Sequence, residues 1–114
     1  MDIKEYFSEN VFSVTQINEC VKELLDSVPV FSSVRIRGEI SNFKNHVKSG
    51  HLYFSLKDEG SVLKAVMFAR DARGLDFTPA DGMKVVATGR ISAYIRDGVY
   101  QLYVTAMEAY SSRT

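Results

Sequence analysis

The sequence predicts a mainly β fold: five strands closing into a small Greek-key barrel, with one α-helix ahead of them. Three observations carry this. Apolar and polar residues alternate in five runs between 32 and 109, which is the period of a half-buried strand. Helical spacing of apolar residues occurs in only one long stretch, before residue 29. Compact turn signals, D-E-G and R-D-G, separate neighbouring runs.

The elements follow in order. Residues 1–12 read as a lead-in. A helix starts at Ser13, a good N-cap, with Gln16 completing a capping box and Phe12 and Ile17 at the positions of a hydrophobic staple. Val14, Ile17, Val21, Leu24, Leu25 and Val28 form one stripe, expected to pack into the core, and Pro29 stops the helix near Ser27. Cys20, beside the stripe, reads as a small buried hydrophobe. Strands are expected near 32–43, 51–57, 62–69, 83–95 and 99–109. The link 44–50 is polar and expected to be mobile. Asp58-Glu59-Gly60 is a tight turn in which Gly60 is expected to supply a positive φ, and Arg96-Asp97-Gly98 makes the second hairpin. Residues 70–82 read as a loop or short helical turn. Gly38 and Gly89, inside long strands, mark bulges or bends of the kind small barrels need. A three-stranded meander, an irregular crossover and a hairpin match the OB-fold, with the helix added at its N-terminal side.

Size and charge bound the function. A chain of 114 residues with 46% hydrophobic residues is one domain, residues 13–110, with a real core. Lys plus Arg and Asp plus Glu each number 14, so a basic face must be balanced by acids elsewhere. The single Cys20 excludes an internal disulfide and fits a reducing compartment. No apolar run nears the ~18 residues that span a bilayer, and no secretory signal is present, so a cytoplasmic protein without membrane contact is expected.

Alternation assigns the faces. Val34, Ile36 and Ile40 point inward, leaving Arg35, Arg37, Glu39 and Ser41 outward. Leu52, Phe54 and Leu56 point inward, leaving His51, Tyr53, Ser55 and Lys57 outward. The third strand is apolar almost throughout. With Leu63, Ala65 and Met67 in the barrel, Lys64, Val66 and Phe68 join Tyr53, and a one-residue slip reverses this. Flat rings beside cations on an open sheet suit unpaired bases and their phosphates. The expected nucleic-acid site is therefore Tyr53 and Phe68 as stacking platforms with Ser55 on the same face, and Arg37, Lys57 and Lys64 for phosphates. Loop residues Asn42, Lys44, His46 and Lys48 close one end and Arg96 the other. His46 and His51 read as solvated, and no cluster has metal-ligand spacing. No nucleophile elbow or phosphate-binding loop occurs, so no catalytic residue, metal or cofactor is assigned.

The blocks R-I-R-G-E-I-S-N-F-K, S-G-H-L-Y-F-S-L-K-D-E-G, K-A-V-M-F, D-G-M-K-V-V-A-T-G-R-I-S-A-Y and Y-Q-L-Y-V, with S-V-T-Q-I-N before them, resemble the large subunits of exodeoxyribonuclease VII. The likeness runs from about 13 to 109. It implies an N-terminal OB-fold that binds single-stranded DNA. It also implies a parent exonuclease, active in bacterial DNA repair, that cuts single strands from both ends to 5′-phosphate products without a divalent metal. The catalytic region would lie elsewhere, residues 111–114 would begin a linker to it, and small subunits would bind outside this segment. A weaker likeness, carried by L-Y-F-S-L-K-D and V-L-K-A-V-M-F, reaches the anticodon-binding barrels of class II aminoacyl-tRNA synthetases. It implies that Tyr53 stacks on a base and Lys64 reads one. Two other readings stay open: a barrel that docks protein partners, and a tRNA-binding module of a translation enzyme.

Overall fold

The computed structural model describes residues 11–110. The expected lead-in up to residue 10 and the expected linker 111–114 lie outside the described residues. Helix α1 (Val14–Ser27) is followed by a 3₁₀ turn (Pro29–Ser32) and strands β1 (Val34–His46), β2 (His51–Lys57) and β3 (Val62–Met67). A short helix α2 (Ala69–Ala72) then leads to β4 (Lys84–Tyr94) and β5 (Val99–Ala109). The strands close in the order β1-β2-β3-β5-β4. All pairings are antiparallel except β3 with β5, where only Ala65↔Leu102 and Val66↔Tyr103 join the two.

The inward residues of every strand build the core. Ile40, Met67, Leu102, Val85 and Val104 are fully buried, with Leu52, Phe54, Leu56 and Ala65 beside them. Leu63 packs against this cluster, so the third-strand register is the one expected. Ala72, Leu75 and Phe77, from α2 and the loop after it, cover one end of the barrel.

Two glycines let the sheet coil. Thr88↔Ala106 is followed by Gly89↔Val104, a register shift at the expected bend. A Cβ on Gly89 would stand 2.1 Å from the Tyr103 carbonyl oxygen, so no side chain fits. Beside Gly38, residue Glu39 pairs with both Lys84 and Lys57, where β1 leaves β4 for β2.

Several expectations are corrected. Strand β1 begins later and runs further, to His46, because a bulge between Ser41 and Lys44 absorbs one extra residue and pairing with β2 resumes. Asn42 takes φ 50° there, a left-handed conformation asparagine tolerates. Only a tight turn remains of the expected mobile link, closed by the Gly50 N–H donating to the His46 carbonyl at 2.7 Å. At the other hairpin Gly60 has no positive φ. The Asp58 carboxylate instead accepts from the Gly60 and Ser61 N–H groups, both at 2.9 Å.

The largest correction concerns α1. Its capping box forms as expected, with Ser13 Oγ accepting from the Gln16 N–H and Gln16 Oε1 accepting from the Ser13 N–H. Cys20 is buried, also as expected. Most of the apolar stripe, however, does not enter the core: Val14, Ile17, Val21, Leu24 and Val28 are exposed, and only Leu25 is half-buried, beside the 3₁₀ turn. Polar groups dock the helix on β4 instead. Asn18 Nδ2 donates to the Ile95 carbonyl at 2.9 Å, and the fully buried Ser92 hydroxyl donates to Asp26. Burial alone would raise the Asp26 pKa, but hydrogen bonds from Lys22 and Ser92 and the charges of Lys22 and Arg90 outweigh it and hold the carboxyl below its ordinary value.

Candidate nucleic-acid interface

The strands β2, β3 and β5 floor a groove of about 850 Å³, walled by β1 on one side and by the β4–β5 hairpin on the other. Alternation brings Tyr53 and Ser55 from β2, Lys64 and Val66 from β3, and Gln101 and Tyr103 from β5 to this face. Phe68 follows at the end of β3, and Tyr94 enters from β4. The bulge in β1 matters here, because it turns Phe43 inward against Phe54 and leaves both Asn42 and Lys44 lining the groove.

The rings form an unbroken row across the strands. His51 lies edge-on to Tyr53 at 6.5 Å and to Phe68 at 5.2 Å, and Phe68 meets Tyr103 at 6.1 Å. The Arg90 guanidinium ends the row, 4.4 Å over the Tyr103 ring. Tyr53 and Phe68 each remain 44% exposed, so their faces are open to a flat partner.

Charge is distributed unevenly. Lys22, Arg35, Lys57 and Arg70 each have a carboxylate partner. The groove cations Lys44 and Lys64 have none among the described residues, which leaves them free for phosphate. Asp97 is the one acid on the groove lining.

Of the expected site residues, the groove brings together Asn42, Lys44, Tyr53, Ser55, Lys64 and Phe68. Ser55 is on the expected face but buried, so it belongs to the floor. The others lie elsewhere. Arg37 stacks on the Tyr110 ring at 4.6 Å, and Lys57 faces Glu39 at 3.7 Å. Both line a separate, largely apolar cleft of about 610 Å³ beside the 3₁₀ turn. His46 fastens its own turn through Nδ1, 2.6 Å from Ser49 Oγ, while Lys48 borders a cleft next to α2. Arg96 is exposed in the β4–β5 turn next to Asp97.

Sequence reasoning missed Tyr94, Gln101, Tyr103 and Arg90, all on the last two strands. The signal was present in Y-Q-L-Y-V, where inward Leu102 and Val104 force Gln101 and Tyr103 outward. His51, expected to be solvated, is half-buried and accepts at Nδ1 from the Ala69 N–H at 2.9 Å. Among the described residues no group of His, Cys, Asp and Glu could hold a metal ion, and no helix is long and apolar enough to cross a membrane.

A closed five-stranded barrel with a basic, ring-lined groove across β2, β3 and β5 defines an OB-fold nucleic-acid-binding module. The chain belongs to the OB-fold nucleic acid binding domain family, which matches residues 12–108. It is 54% identical over 98 residues to the exodeoxyribonuclease 7 large subunit of Clostridium tetani, covering 86% of this chain and 24% of that protein. It is 51% identical to the same subunit of Ruminiclostridium cellulolyticum, with the same coverage. The chain thus spans about a quarter of the length of the curated relatives it matches. Among solved structures, asparaginyl-tRNA synthetase from Pyrococcus horikoshii aligns with a TM-score of 0.56 at 18% identity, over 84% of this chain and 23% of that one. A replication protein A heterotrimer bound to ssDNA aligns with a TM-score of 0.56 at 10% identity, over 71% of this chain and 59% of that one. At those identities the likeness concerns the fold.

Proposed function

We propose that this domain binds single-stranded DNA along the row Tyr53–Phe68–Tyr103. In a complete exodeoxyribonuclease VII large subunit it presents that strand for cleavage from either end, to 5′-phosphate products, by a region outside this segment. Small subunits engage that protein through regions outside this segment. The observation that carries the reading is the row of rings, with Tyr53 and Phe68 open, beside two lysines that have no carboxylate partner among the described residues. Stacking accepts any base, and lysine neutralises phosphate without reading sequence, so recognition is sequence-tolerant.

The test is a titration of the 114-residue chain with fluorescent oligo-dT at low and moderate salt, with a folded tRNA as competitor. Saturable binding that weakens as salt rises and resists the competitor supports the reading. Preferential binding of the tRNA replaces it with the RNA-binding alternative, and no binding to either nucleic acid replaces it with a protein-docking barrel.

A further inference from the structure

His51 opens β2 and stands between the two stacking platforms. Its contact with Phe68 is made twice. The imidazole meets the Phe68 ring in a T-shaped contact, and Nδ1 accepts from the N–H of Ala69, the next residue. That N–H is the first of helix α2, one of the donors a helix cannot satisfy internally. The N-cap residue is Phe68 itself, which has no side-chain oxygen, and no side-chain cap bond is made there. A four-residue helix has little cooperativity of its own to hold this corner.

The approach is built in from the other side too. Gly50, just before His51, has φ 81°, and a Cβ there would stand 3.1 Å from the Ala69 Cβ. The β1–β2 turn therefore lies so close to the start of α2 that a side chain at residue 50 would crowd Ala69. Both observations place the same two segments together with Phe68 at their junction.

We infer that His51 is the positioning residue of the groove, capping α2 through Nδ1 so that the Phe68 ring is held as a platform between Tyr53 and Tyr103. This rests on the nucleic-acid reading above and deepens it. His51 need not touch the ligand. Its neutral ring carries the proton on Nε2, because Nδ1 is the acceptor.

Two substitutions separate the acceptor from the ring. His51→Asn keeps an acceptor on Cγ where Nδ1 stood, whereas His51→Phe keeps a ring and removes the acceptor. Hydrogen exchange of the Ala69 amide and the Kd for oligo-dT are measured on both. In His51→Phe the Ala69 amide should exchange at least about tenfold faster, and oligo-dT should bind about tenfold more weakly, the worth of one lost hydrogen bond. His51→Asn should recover both to within about threefold of the parent chain. Unchanged Ala69 exchange in His51→Phe, or His51→Asn behaving like His51→Phe, overturns the assignment. If the parent chain binds no oligonucleotide, the groove reading fails. The exchange series still decides whether His51 holds the Phe68 corner.

Discussion

Two surfaces of this molecule expose large apolar side chains to nearly the same degree. In the groove Tyr53 and Phe68 are each 44% exposed, and on α1 Val21 and Leu24 are 44% and 48% exposed. Their surroundings differ. The groove rings are flat and set against one another at 5.2 to 6.5 Å, with Lys44 and Lys64 beside them in a concave face. The α1 residues are aliphatic and lie on the outside of a helix fastened by its polar side. Exposure alone does not mark a binding site. Concavity, fixed ring geometry and lysines without carboxylate partners do.

The sharpest way to break the groove is from underneath. Gly89→Ala forces a Cβ into the Tyr103 carbonyl, and the β4–β5 ladder must open. We expect a loss of about 3 kcal/mol or more in urea denaturation, with oligonucleotide binding lost alongside. Tyr103→Ala removes one platform and leaves the barrel closed. Oligo-dT binding should weaken by about 1–3 kcal/mol, read as the change in Kd, with little change in Tm.

Charge gives a finer contrast. Lys64→Ala should lower the slope of log Kd against log salt by about 0.7, whereas Lys57→Ala, already paired with Glu39 outside the groove, should leave it unchanged. On the helix side, Asp26→Asn weakens the Ser92 and Lys22 contacts and should cost about 1 kcal/mol at neutral pH. The sign with pH follows from a depressed carboxyl: its contribution is present above the unfolded-state pKa and is lost as pH falls through the lower folded value. The gap between parent and variant should therefore narrow below pH 3.8 in denaturation curves. The smallest effect is expected on the stripe, where Val21→Ser should change stability by no more than about 0.5 kcal/mol. A loss of several kcal/mol would show that the stripe is covered, and would end the contrast between the two surfaces.

The barrel was legible because strands announce themselves by alternation and both coil-permitting glycines interrupt it at Gly38 and Gly89. The first half of the groove was legible for the same reason. Its second half, Tyr94, Gln101 and Tyr103, obeys the same rule, but lies in a region whose composition shows no run of cations beside rings. Arg37 and Lys57 illustrate another loss. Alternation correctly pointed both outward, but a coiled strand turns its outward face around the barrel, so residues at its two ends look toward different clefts. The fate of the α1 stripe was not legible at all. Helical periodicity states that one face is apolar, and says nothing of which face the neighbouring sheet will hold.

The seam between β3 and β5 has a consequence for what a ligand does to the fold. Only two residue pairs stitch the barrel shut there, and Phe68 and Tyr103 stand on its opposite banks. A strand whose bases lie on both rings bridges that gap from outside. It acts as a clasp, since every opening of the seam must first release it. Ligand bound to the closed barrel would then add stability that grows with the logarithm of its concentration above Kd.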